Sequence, residues 1–161
     1  MTITGKPHLL TQEGLKKLRK ELELLSTTKR EEVAERLHQA FQDGQDGDFI
    51  DNAELEAARN EQSFLEGRIL KLETILGNYQ IIEDDGPSDV VRVGDHVTVS
   101  EVGFDDEESY HLVGAAEADP DAGNISNESP LGRALLGSKV GDIVKVNAPN
   151  GVIEFKIVKI D

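Results

Sequence analysis

The stretch Asp43-Gly44-Gln45-Asp46-Gly47-Asp48-Phe49-Ile50 separates two long helical patterns, and its brevity decides how they pack. On its N-terminal side Leu15, Leu18, Leu22 and Leu25 recur at helical spacing, followed beyond a polar patch by Val33, Leu37, Ala40 and Phe41. On its C-terminal side Leu55, Ala58, Leu65, Ile69, Leu72 and Leu76 recur in the same way. Lysine, arginine and glutamate fill the other faces, so each run is a helix with one apolar stripe to bury. Thr11 is placed to cap the first helix, Gly44 and Gly47 to stop it, and Gly77-Asn78 follow the second. A helix from Thr11 to Gln42 is on the order of 48 Å long at ~1.5 Å per residue, too long to bury its stripe inside a small compact domain. The short connection supplies the missing partner. The expected architecture is an antiparallel α-helical coiled-coil hairpin turning around Asp43 to Ile50.

After Glu83 the composition changes, and Asp84-Asp85-Gly86-Pro87-Ser88 reads as a domain boundary. The β-rich runs beyond it are 90–99, 109–113, 143–146 and 152–160, with Asn150-Gly151 as a two-residue hairpin signal between the last two. Ser129-Pro130 followed by Leu131 to Leu136 reads as a short helix, Ser129 its N-cap, Pro130 its first residue and Gly137 its end. The fold class is therefore α+β in two domains, a hairpin over 1–83 with an acidic tip at about 43–54, and a globular body over 84–161.

Composition narrows the function. A hydrophobic fraction of 37% in 161 residues suits two modest bodies better than one large core. Without cysteine there is no disulfide scaffold, thiolate metal site or cysteine nucleophile. Met1 to Lys6 lacks the apolar core of a signal peptide, and no apolar run approaches the ~18 residues of a membrane span. The expectation is a soluble, cytoplasmic monomer with no membrane partner. The net charge of −15 falls mostly after Glu83, so neither half is a basic platform, and duplex DNA binding through phosphates is disfavoured. His8, His38, His96 and His111 are scattered without metal-ligand spacing.

The tip concentrates the chemistry. No lysine or arginine occurs between Arg36 and Arg59, while Asp43, Asp46, Asp48, Asp51, Glu54 and Glu56 crowd the same stretch. Such crowding is tolerable on a solvated loop, or it presents hard oxygen ligands to a divalent cation such as Mg²⁺. Asp51-Asn52-Ala53-Glu54 also resembles a capping box, which gives Asp51 a second role as helix cap. Asp48 has no such local duty. Phe49 and Ile50 either close the hairpin end or insert into a partner. Asp43 to Glu54 has the length of a calcium-binding EF-hand loop, but Gln45 and Gly47 replace oxygen ligands and Asp48 stands where the turn glycine belongs.

The stretch Gly47-Asp48-Phe49-Ile50-Asp51-Asn52-Ala53-Glu54-Leu55-Glu56-Ala57-Ala58-Arg59 closely resembles the tip of the bacterial Gre transcript cleavage factors. Further matches run through Gln62, Phe64, Glu66-Gly67-Arg68-Ile69 and Leu72-Glu73, and Ser129 to Gly137 with Gly141-Asp142 is similar to the family's C-terminal signature. The resemblance implies an FKBP-like second domain that grips the rim of the RNA polymerase secondary channel. It implies a hairpin reaching the active centre, where tip carboxylates help hold the second catalytic Mg²⁺, an ion shared with the polymerase. Such a factor is not itself an enzyme but stimulates the polymerase's own cleavage of backtracked RNA. Asp48 matches the metal-holding aspartate and Asp51 stands in place of a glutamate, one methylene shorter.

Arg59 matches a residue that approaches the RNA 3′ end, and is otherwise a helix arginine free to pair with Glu56 or Glu66. Ser129 and Pro130 fall in the polymerase-binding block, and both are equally explained as helix-start residues. Phe41 stands where the family has a second RNA-facing arginine, Leu55 replaces a tyrosine, and about three extra residues enlarge the turn around Gln45 to Gly47. These departures keep open an alternative, an inhibitory paralogue that fills the channel without stimulating cleavage. A calcium-binding hairpin and a peptidyl-prolyl isomerase are the remaining alternatives. The latter would rest on fold alone, in a half whose few aromatics are Phe104, Tyr110 and Phe155.

Overall fold

The computed structural model describes residues 5–45 and 53–161. The chain divides into two compact units, one of residues 15–78 and one that joins residues up to Gly14 to Tyr79–Asp161. This differs from the division at 83/84 expected from composition, and the reason is a pair of three-residue strands. β1 (His8–Leu10) pairs in parallel with β2 (Tyr79–Ile81), with Leu9 opposite Gln80. Gly114 then takes the backbone of β1 so closely that a Cβ there would lie 2.1 Å from the Leu9 carbonyl oxygen. The first residues are thereby built into the globular unit.

The helical unit is the expected hairpin. α1 (Gln12–Leu24) passes through a π-helical turn, Leu25–Lys29, into α2 (Arg30–Gln45), and α3 (Ala53–Gly77) returns. Cross-helix ion pairs run in opposite senses along the two chains: Arg30 with Glu66, Arg36 with Glu61, and Arg68 with Glu21. That order is antiparallel. The Arg30 and Arg68 pairs are two-pronged, with N···O distances of 2.7–2.9 Å. Val33, Leu65 and Ile69 form the buried seam, with Leu22 and Leu25 packed against it. At the far end of α3 it is Ile75, 3% exposed, that is buried, where the spacing had suggested Leu76.

The π turn explains the polar patch. Continued at seven-residue spacing, the stripe Leu15, Leu18, Leu22, Leu25 would next reach Lys29, Glu32 and Arg36, all charged. The apolar residues instead come one position late, at Val33, Leu37 and Ala40. A π turn absorbs one residue, marked here by the Arg30 N–H donating to the Leu25 carbonyl five residues back. Val33 and Ala40 so return to the seam, at 3% and 4% exposure. The helix also runs through Gly44 to Gln45, so Gly44 is not its stop. Gly47 lies outside the described residues.

The globular unit is a five-stranded sheet with one short helix. Strands β3 (His96–Glu101), β4 (Glu107–Val113), β5 (Asn124–Ser126), β6 (Ile143–Ala148) and β7 (Gly151–Ile160) lie in the order β5-β4-β3-β7-β6. All pairs are antiparallel except β4 with β5. The core is Val91, Val97, Val99, Leu112, Ile125, Val144 and Ile157, closed by Leu135 of α4 (Pro130–Leu135). A bulge leaves Val158 unpaired between Lys159 and Ile157, so Ile157 is buried and Ile160, three residues on, still packs on the same core. The expected strand 90–99 begins only at His96, and Val90 makes an isolated bridge to Lys139. The last hairpin turns on Pro149-Asn150 rather than Asn150-Gly151, since Ala148 pairs with Gly151. Pro149 holds a negative φ, which excludes the turn that Asn-Gly favours, and the positive φ of 129° falls on Gly151.

Candidate functional site

Asp48 and Asp51 lie outside the described residues, as do Phe49 and Ile50. The structure describes the two helix ends between which they are strung. α2 ends at Gln45 and α3 begins at Ala53, so the acidic stretch forms the link of the hairpin. Ala40 and Ala58 are buried near this end, 4% and 1% exposed, and their small side chains bring the two helices close. Two grooves open beside the link, and among the described residues they share no lining residue.

The first groove, about 300 Å³, is acidic. Asp43, Glu54 and Glu61 line it with Arg36, which is bound to Glu61. Asp43 and Glu54 are exposed and carry their charge into solvent at the two roots of the link. Among the described residues no group of three or more carboxylates or histidines is placed to hold a metal ion.

The second groove, about 330 Å³, is lined by Ala34, Leu37, His38, Phe41, Leu55, Arg59 and Gln62. It opens where polar Gln62 falls between Ala58 and Leu65 on α3, interrupting the stripe. Phe41 is 51% exposed there. Arg59 makes no ion pair among the described residues. Glu66, one partner open to it from sequence, is held by Arg30 instead, which keeps the Glu66 carboxyl below its ordinary pKa.

In the globular unit Ser129 caps α4 as expected. Its Oγ accepts from the Gly132 N–H at 3.1 Å and donates to the Ser126 carbonyl at 2.7 Å. The hydroxyl is thus used twice within the fold. Pro130, at the first helical position, and Arg133 are exposed beside it.

A cleft of about 770 Å³ lies elsewhere in this unit, between Glu83–Pro87 and Arg92–His96. No Phe, Tyr or Trp lines it among the described residues, so it offers no aromatic pocket for a prolyl side chain. Its one arginine, Arg92, is taken up by Asp85, Asp95 and the Gly86 carbonyl. His96 and His111 stack across β3 and β4 at 4.1 Å, nearly parallel. Sequence reasoning missed that pair because the partners sit on separate strands. It also missed Glu117, whose carboxylate holds Thr11 across 106 positions.

Residues 8–81 match the family described as "Transcription elongation factor, N-terminal", and residues 86–161 match "Transcription elongation factor, GreA/GreB, C-term". The chain belongs to the GreA/GreB family of transcription elongation factors. This Gre-family chain is 52% identical over 158 residues to transcription elongation factor GreA of Acetivibrio thermocellus, covering 98% of both chains. It is 51% identical to GreA of Thermoanaerobacter pseudethanolicus, covering 97% of this chain and 98% of the relative. Among solved structures it is similar to GreA factor homolog 1 (Gfh1) of Thermus thermophilus, 33% identical over 97% of this chain and 99% of that one, with a TM-score of 0.44. Among the described residues no helix is long and apolar enough to cross a membrane.

Proposed function

We propose that this Gre factor binds RNA polymerase, inserts its hairpin into the secondary channel and stimulates cleavage of backtracked RNA. The observation that carries the reading is that the Gre tip motif, Gly47 to Arg59, falls in sequence between α2 and the first turns of α3, its antiparallel partner, in a chain that GreA of Acetivibrio thermocellus matches over 98% of its length. In this reading the factor is not an enzyme but lends carboxylates to a site in the polymerase. The donor set fits a shared Mg²⁺ ion. The link carries hard oxygen donors, Asp48 and Asp51 with Asp46 beside them, the ligand type that Mg²⁺ takes. When bound, the ion supplies charge stabilisation and an acidified water at the phosphodiester. Asp48 is the metal-holding carboxylate, and Asp51 orients water or caps α3. Pro130 contributes to the surface that meets the polymerase rim.

A transcript-cleavage assay on stalled polymerase complexes tests this. Wild-type factor shortens the RNA in a Mg²⁺-dependent way, and Asp48→Asn removes the activity while polymerase binding persists. Equal cleavage by the variant overturns the mechanism. The inhibitory reading draws support from Phe41, an exposed ring where active tips resemble one another in carrying arginine, and from the acidic groove of Asp43 and Glu54. It predicts slowed elongation with no shortening in the same assay.

A further inference from the structure

We infer that the outward face of α3 centred on Gly67 is a self-association surface, on which a second copy of this chain packs its own α3 antiparallel. The inference does not rest on the polymerase reading and goes beyond it.

Three observations carry it. At ~100° per residue, Ser63, Phe64, Gly67, Leu70 and Lys71 share the side of α3 turned away from buried Leu65, Ile69 and Leu72. Two large apolar side chains stand open there, Phe64 at 81% exposure and Leu70 at 64%. The face carries no carboxylate in a chain with 32 acidic residues. Of the glutamates interspersed with it in sequence, Glu61 and Glu66 are held by Arg36 and Arg30 across the seam, and Glu73 lies two turns beyond Glu66, its charge acting on Arg30. Gly67 stands between the two apolar side chains in mid-helix, where glycine is destabilising relative to alanine. Among the described residues nothing demands it. A Cβ there would meet no atom within 4 Å, whereas at Gly14, Gly114 and Gly132 it would meet one at about 2 Å.

The pattern is its own complement. About a two-fold axis at Gly67, Phe64 comes level with Leu70 of the second copy, and Ser63 with Lys71 of the second copy. Gly67 opposite Gly67 lets the two backbones approach until those side chains meet. A parallel pairing would set Lys71 against Lys71 and bring the two acidic stretches from Asp43 to Glu56 side by side, so charge selects the antiparallel one. With a net charge of −15 on each copy, a face free of carboxylates is where two copies meet with least repulsion. From Asn60 to Thr74 the contact is ~21 Å long and about one helix diameter, ~10 Å, wide. That is small beside the ~1,200 Å² at which standard interfaces begin, so the dimer is weak and reversible. The monomer expected from sequence is then the dilute form.

The test is sedimentation equilibrium of the full chain from about 1 µM to about 1 mM, in salt that screens the net charge. The expected result is a mean mass that rises with concentration from 17.6 kDa toward twice that value. Phe64→Glu changes an exposed position, so it should melt like wild type in dilute solution and stay monomeric throughout. Gly67→Ala separates fold from contact: dilute, it should melt above wild type, while its dimer dissociates about tenfold more readily. The chain has no cysteine, so a Ser63→Cys sample mixed with a Lys71→Cys sample reads the direction of pairing. Under oxidised glutathione the antiparallel dimer gives the mixed disulfide in preference to either homodimer. A mass that stays at 17.6 kDa overturns the inference, as does association that Phe64→Glu or Gly67→Ala leaves unaltered. Homodisulfides in place of the mixed one overturn the antiparallel pairing. A monomeric wild type whose binding to polymerase is lost in Phe64→Glu assigns the face to the polymerase and overturns the second copy.

Discussion

Glu117 holds Thr11 at two points, its carboxylate accepting from the Thr11 N–H at 2.7 Å and from Oγ1 at 2.6 Å. The same Oγ1 accepts from the Gly14 N–H at 2.9 Å, so the capping residue Thr11 is itself held by a carboxylate of its own unit. An anion at a helix N-terminus is favoured by the helix dipole, and charge-assisted bonds are stronger than neutral ones. Glu117→Ala leaves both Thr11 donors without their partner and should lower stability by about 1–3 kcal/mol, read as a fall in Tm.

Gly14 gives this clamp a sharper test. Exchanging glycine for alanine within a helix ordinarily gains up to ~1 kcal/mol. Here a Cβ at position 14 would lie 1.9 Å from Glu117 Oε1, so Gly14→Ala displaces the carboxylate and should lower Tm. In a Glu117→Ala background the obstacle is gone, and the same Gly14→Ala change should raise Tm. A double-mutant cycle reads the reversal of sign. If Gly14→Ala acts alike in both backgrounds, the clamp does not contribute.

The π turn makes a prediction about register. Deleting Thr27 removes the residue that the turn absorbs and lets an ordinary helix carry Leu25 to Val33 on one stripe. Helicity and Tm should therefore stay close to wild type. Deleting Glu35 instead rotates Leu37 and Ala40 off the seam, at a cost of about 1.5–3 kcal/mol for each large apolar side chain exposed. Thermal melts followed by circular dichroism at the helix band compare the two.

What could be read from sequence follows the range of the forces involved. The hairpin was legible because helical periodicity is local and repeats over many turns, and Ser129-Pro130 because a cap is decided within four residues. β1 was not, because three residues carry no period and their partner Tyr79–Ile81 is defined only after the hairpin has brought the chain back. Glu117 was one acid among many until the fold placed it at Thr11. At the tip the motif singles out Asp48 and Asp51, which lie outside the described residues. The groove of Phe41 and Arg59 depends on Gln62 interrupting the seam, a single polar residue whose effect appears only when the helices are paired.

The His96–His111 stack predicts a pH dependence. Burial, and then the neighbouring His96, hold the His111 pKa below its ordinary 6.5, while the Gly94 carbonyl, Glu117 and Asn124 partly oppose them. The unfolded chain thus takes up a proton at a pH where the folded one does not. The associated stability is present above about pH 6.5 and is lost as pH falls toward the lower, folded value. His111→Gln should flatten the decline of Tm between about pH 7.5 and 5.5, and His96→Gln should flatten it partly. An unaltered slope in His111→Gln would show that other groups set it.

Ser129 and Pro130 are neighbours with separable duties. Ser129 Oγ is fully used by Gly132 and Ser126, so Ser129→Ala should cost about 1 kcal/mol as a lost helix cap, and any weaker polymerase binding should follow from that. Pro130 is exposed and, at the first helical position, gives up no hydrogen bond, so Pro130→Ala should melt within a few tenths of a kcal/mol of wild type. If this corner meets the polymerase rim, the same Pro130→Ala variant should bind polymerase more weakly, and stimulate cleavage less at limiting factor concentration but not at saturation. That split between affinity and saturating rate is the reverse of the one expected for Asp48→Asn, which should bind normally and fail at every concentration.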